Sequence, residues 1–259
     1  MYKLVASLMF FTRLPFWRFV KVPGEHFKDV VSYWPIVGLV TSSVMAGTLW
    51  VTYQIAPAPV AVICAIISRI LLTGALHEDG LADFFDGFGG GKSREQILSI
   101  MKDSHIGSYG VISLILYFIT LSALLNSLPV NVACCAILAG DPINKYIASF
   151  ITLRLTYARK EEESKSKIIY RRSGVAPIIM GLIISISLLT ICLEPRFYMA
   201  VATPVLLFFI LTQRMKRKIG GYTGDCCGAL FLLCELAFYC AVVIINNYHG
   251  TLFGQAYLS

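Results

Sequence analysis

The chain has 259 residues, 57% hydrophobic and 14% charged, with a mean hydropathy of +0.72. Soluble domains carry about 45–50% apolar and about 25% charged residues, so this composition excludes an ordinary soluble domain and predicts an all-α, polytopic membrane protein with one membrane domain over residues 1–259. The net charge of +7 could suit nucleic acid, but the basic residues are spread over four connections without a recognised binding module, so no nucleic-acid partner is expected.

The first segment, residues 2–19, is too short and too broken by Arg13 and Pro15 to span. It reads as an interfacial helix, with Trp17 and Phe19 among basic residues. No small-residue cleavage site follows Leu4 to Phe11, so a cleavable leader is not expected. Seven candidate spans follow, each near the roughly 20 residues a bilayer needs: 31–54, 57–76, 108–126, 130–153, 175–193, 197–213 and 226–246.

Positive charge gives an independent test of that count. Of 22 Lys and Arg, 19 fall before the first span or in the connections 77–107, 154–174 and 214–225, whereas Arg196 alone falls in the opposite turns. The bias predicts an inner (plasma) membrane protein with a cytoplasmic N-terminus, an outside C-terminus and an active site at the cytoplasmic face. Glu161-Glu162-Glu163 reads as a surface segment without chemistry. The eight cysteines lie almost entirely in apolar runs without CxxC spacing and read as small hydrophobes.

Chemistry concentrates between His77 and Gly110, which hold six of the chain's 15 acidic residues, Glu78, Asp79, Asp83, Asp86, Glu95 and Asp103. If residues 77–87 are helical, Asp79, Asp83 and Asp86 stand at i, i+4 and i+7 on one face. Carboxylates so arranged repel unless a cation lies between them, and Mg²⁺ is the default, since it takes such oxygens and keeps positions open for substrate phosphates. The glycines at 89–91 with Lys92, Arg94 and Lys102 offer close backbone approach and positive charge to an anionic substrate.

Other polar residues leave alternatives open. Asp225 opens the last span, either as a helix cap or as a ligand. Glu235, about 15 Å deeper along that helix, should face a cavity or a partner. Asp141 and Lys145 form an i, i+4 pair that either neutralises itself or lines a polar cavity. Arg69 and Arg13 either snorkel or reach phosphate. His77 and His105 flank the acidic run, and each is a general base or an orienting hydrogen bonder.

The strings HEDGLADFFDG, IMKDSHIGSYGV and GGYTGDCCGA, with FFTRLPF and YWPIVGLV near the start, resemble the signature blocks of the cobalamin synthase family, adenosylcobinamide-GDP ribazoletransferases. The likeness runs from about residue 8 to 240, weakest over 141–175. It implies a Mg²⁺-dependent transferase of a substituted phosphate group, in which adenosylcobinamide-GDP is attacked by a hydroxyl of α-ribazole or its 5′-phosphate and GMP is released. By that resemblance the metal candidates are Glu78, Asp79, Asp83, Asp86 and Asp225. The catalytic candidates are His77, Asp83, Lys102 and Asp103, and Arg13, Arg94 and Lys102 are weaker phosphate contacts. The resemblance leaves room for a homo-oligomer. Two other readings compete: a CDP-alcohol-type phosphotransferase, whose DGxxAR run Asp79-Gly80-Leu81-Ala82-Asp83 meets only in part, and a cation-coupled transporter.

Overall fold

The computed structural model describes residues 1–159 and 169–256, so Glu161-Glu162-Glu163 lies outside the described residues. The chain is helical as expected. In order come α1 (Tyr2–Phe11), α2 (Trp34–Tyr53), α3 (Ala58–Thr73), α4 (Leu76–Gly90), α5 (Arg94–Lys102), α6 (Ser108–Asn126), α7 (Val130–Ser149), the short α8 (Ile151–Arg154), α9 (Val175–Cys192), α10 (Ala202–Ile219) and α11 (Gly224–Ala256). The 3-10 segments Gly24–Tyr33 and Pro195–Val201 lead into α2 and α10.

Among the described residues, five helical segments are long and apolar enough to cross a bilayer: Gly24–Tyr53, Ser108–Asn126, Val175–Cys192, Pro195–Ile219 and Gly224–Tyr248. The bent pair α3 and α4 makes a sixth if it is taken as one span. Helix α7, read above as a span, has 20 residues but carries Asp141, Asn144 and Lys145 and falls below that apolarity. It packs against α2, α9 and α11, so protein rather than lipid surrounds its polar half. Helix α1 has 10 residues, about 15 Å, half of what a span requires.

Two of the boundaries that differ from the sequence reading bear on the site. Residues 77–90 are helix rather than connection, because the chain turns by 90° between α3 and α4. Gly74 (φ 69°) and Ala75 (φ 60°) are both left-handed, and their amides both reach the Ile70 carbonyl at 2.7 and 3.2 Å. Glycine takes that conformation freely, whereas Ala75 pays about 1–2 kcal/mol for it. Helix α10 continues beyond 213 to Ile219, where Lys216, Arg217 and Lys218 complement the negative helix end before left-handed Gly220 stops it.

Small residues bring the central helices into backbone contact. A Cβ on Gly80 would lie 3.0 Å from the Asp225 carbonyl oxygen, and one on Gly228 would lie 3.0 Å from that of His77. Helices α4 and α11 therefore cross main chain against main chain. Gly38 does the same for α2 on α7, where a Cβ would stand 2.7 Å from the Pro142 Cα. Helix α11 is the centre of the bundle, with 61% of its apolar window buried against 17% for α9.

Charge inside the bundle is paired. Arg69 donates to Glu235 (2.5 Å) and to the Tyr117 hydroxyl (2.6 Å), and the Tyr117 and Tyr239 hydroxyls donate to the same carboxylate at 3.1 and 3.2 Å. This ties α3, α6 and α11 together. Lys145 donates to Asp141 and to Thr41 (2.7 Å), and Thr41 donates to Asp141 (2.7 Å), joining α7 to α2. The i, i+4 pair thus neutralises itself, and Glu235 has the partner its depth demanded.

Candidate active site

Helix α4 carries the acidic run, and its continuity puts Asp79, Asp83 and Asp86 on one face as the spacing predicted. Sharing a face is not sharing a point, however. Seven residues of rise separate the first aspartate from the last by about 10 Å, and the structure uses the two ends differently.

Asp79 is exposed and lines a cavity of about 310 Å³. Asp225 lines the same cavity, delivered by the Gly80 and Gly228 contacts. The cap of α11 is Thr223, whose hydroxyl accepts from the Cys226 amide at 3.3 Å and donates to Asp225 at 3.3 Å. Asp225 sits in the first helical turn, so its carboxylate also complements the positive helix end. Asp83 is buried one turn beyond Asp79.

Asp86 has a different task. Its two oxygens accept from the amides of Gly107 (2.7 Å) and Gly110 (2.8 Å), satisfying the open end of α6. Glu78 turns inward, 4.0 Å from Arg69, and its Oε2 lacks a hydrogen-bond partner among the described residues. Among those residues no group of three or more His, Cys, Asp or Glu side chains is arranged to hold a metal. Mg²⁺ is commonly held by one or two carboxylates and completed by substrate phosphate oxygens. Asp79 and Asp225, hard oxygen donors that line one cavity, fit that pattern; Glu78 and Asp86, turned elsewhere, do not.

His77 also lines the cavity. It is stacked on Phe11 and Trp34 at ring distances of 5.9 and 5.6 Å, with Phe231 edge-on at 5.1 Å, and its Nε2 has no partner among the described residues. Lys102, Asp103 and His105 are exposed and are not on the cavity wall. The His105 amide (3.0 Å) and ring (2.7 Å) hold the Asp103 carboxyl below the usual carboxylate range. Arg13 is exposed and lies against Gly74 at the α3–α4 corner.

Arg94 acts as a clamp. It donates to the carbonyls of Ile219 (2.9 Å) and Ala158 (2.8 Å). Ile219 ends α10 and Ala158 belongs to a short pairing in which the Ala158 amide reaches the Tyr222 carbonyl (2.8 Å) and the Tyr222 amide reaches the Thr156 carbonyl (3.0 Å). That pairing carries Tyr157 and Arg159 to the cavity wall. Arg159 is buried and donates to the Leu98 carbonyl at 2.8 Å, and it adds a cation to the lining of the cavity that Asp79 and Asp225 also line.

Two blocks of sequence some 150 positions apart, around Asp79 and around Asp225, therefore meet at one cavity. The cobalamin-5-phosphate synthase family model matches residues 3–243. The chain belongs to that family. Relatives named adenosylcobinamide-GDP ribazoletransferase include one from Shewanella sp. (strain W3-18-1), 36% identical over 94% of both chains, and one from Shewanella oneidensis, 37% identical over 93% of this chain and 94% of its own. A third, from Shewanella sp. (strain ANA-3), is 35% identical over 94% of both. No solved structure matches.

Family membership accounts for the strings around Asp79 and Asp225, but Arg159, Tyr157, Tyr170 and Trp34 were not visible as site residues in the sequence. Arg159 sits in a connection whose seven basic residues were read only as topological charge. Tyr157 and Tyr170 lie in the same connection, and Trp34 lies within YWPIVGLV, a string that carries the family resemblance without marking the residue for the site.

Proposed function

We propose that this membrane transferase of cobalamin synthesis joins adenosylcobinamide-GDP to α-ribazole or its 5′-phosphate, releasing GMP. The observation that carries the reading is that Asp79, Asp225 and Arg159 all line one cavity in a chain of this family. A hydroxyl of the ribazole attacks the phosphorus bound to the cobinamide. A new P–O ester forms, the bond to the bridging oxygen breaks, and GMP leaves with that electron pair while the hydroxyl proton is lost.

Mg²⁺, when bound, supplies charge neutralisation at the diphosphate. Asp79 and Asp225 are its candidate holders, with Asp83 next in line. Arg159 contributes a fixed cation to the leaving phosphate, and the Gly224 end of α11 adds the positive helix pole. His77 is the candidate acceptor of the hydroxyl proton. Lys102 and Asp103 have no part in this reading, nor does Arg94 as a phosphate contact.

The test is GMP release by purified protein in lipid vesicles, given Mg²⁺, adenosylcobinamide-GDP and α-ribazole. Turnover that falls by at least about a hundredfold in Asp79→Asn and in Asp225→Asn, with melting temperature retained, supports the assignment. CMP release from a CDP-alcohol, or ion flux without turnover, would overturn it. The interior charges do not favour the transporter, since Arg69 with Glu235 and Lys145 with Asp141 neutralise one another.

A further inference from the structure

The cavity beside Asp79 and Asp225 is small and strongly aromatic. Its volume of about 310 Å³ is at the low end of small-molecule sites, which run from about 300 to 1,000 Å³. A corrinoid with its nucleotide cannot enter such a space whole, so one fragment of the substrates must be the occupant. Phe10, Phe11, Trp34, Tyr157 and Tyr170 line it together with His77, which stacks on Phe11 and Trp34. Among the described residues, the charged groups on the lining are Asp79, Asp225 and Arg159.

The indole Nε1 of Trp34 and the Nε2 of His77 lie beneath the cavity surface and are not presented to an occupant. The lining is therefore complementary to a flat, largely apolar ring. A benzimidazole nucleoside has that chemistry, with one ring nitrogen on the sugar and one free. Guanine carries several donors and acceptors along one edge, and the aromatic lining offers them few partners.

Resting on the reaction proposed above, we infer that this cavity seats the planar base of the ribazole nucleoside, leaving the guanine and corrinoid parts of the other substrate outside. The sugar hydroxyl then emerges toward Asp79 and Asp225, where the diphosphate is held. The cavity makes the protein selective for apolar bicyclic bases over purines.

Two measurements test this. The first needs no turnover: α-ribazole alone is added to the protein and tryptophan fluorescence is followed. Quenching is expected in the wild type and is expected to be lost in Trp34→Phe, since Trp17 and Trp50 are exposed and not on the cavity wall. The second is kinetic. Phe10→Leu and Trp34→Phe should raise KM for α-ribazole about tenfold and leave KM for adenosylcobinamide-GDP in place. A KM change on adenosylcobinamide-GDP alone, or equally on both substrates, assigns the cavity elsewhere and overturns the inference. So does quenching that persists in Trp34→Phe, or no quenching in the wild type. Quenching by α-ribazole in a wild-type protein that releases no GMP would retain the base site and sink the reaction instead.

Discussion

Asp86 and Asp79 share a helix face and differ in what holds them, and substitution should separate them. Asp86→Ala removes the acceptor of two α6 amides, so a loss of about 1–2 kcal/mol is expected in denaturation measured in detergent. Asp79→Asn removes an exposed charge with little packing, so stability should hold within about 0.5 kcal/mol while turnover collapses. Asp103 offers a pH readout. Because the His105 amide and ring lower its folded pKa, the stabilisation is present above the ordinary carboxylate value of about 3.9 and is lost as pH falls through the depressed folded value. In an NMR titration, His105→Ala should move the Asp103 midpoint upward toward that ordinary value. The register of the aspartates was legible because helical phase depends on sequence alone. Their division of labour was not, since it depends on which distant backbone each carboxylate meets.

At the level of elements, the α4–α11 crossing and the interior ion pairs carry the architecture. Glu235→Gln removes the nearest counter-charge of Arg69 at depth, with an expected loss of about 3–5 kcal/mol, whereas the double change Arg69→Met with Glu235→Leu should recover only part of it, because Glu78, 4.0 Å from Arg69, then loses its cation. Thermal unfolding in detergent reads both. Arg94→Ala frees the Ile219 and Ala158 carbonyls and loosens the pairing that brings Arg159 to the cavity. It should raise KM for adenosylcobinamide-GDP, and Arg94→Lys should not restore it, because an ammonium cannot reproduce the fork that spans two carbonyls. The spans α6, α9 and the start of α11 were readable from hydropathy. The 90° corner was not, because Ala75 in a left-handed conformation leaves no trace in residue type. The extension of α10 was missed for a related reason: Lys and Arg are good helix formers as well as loop residues.

For the whole molecule, the charge bias and the helix order make one joint prediction. In a cysteine-free background, Ser93→Cys should be labelled by an impermeant thiol reagent only from the side facing the cytoplasm. Ser127→Cys should be labelled only from the opposite side, since α6 lies between the two exposed positions. The backbone contact between Gly80 and Asp225, and between Gly228 and His77, bears on how the protein meets different lipids. Peripheral helices such as α9, apolar and largely unburied, are free to tilt when the bilayer thickens or thins. The two helices bearing the carboxylates touch without intervening side chains, so their spacing is set by main-chain radius. On the function proposed above, that spacing holds Asp79 and Asp225 at a fixed separation whatever the membrane thickness, and turnover should stay nearly level across vesicles of graded acyl length.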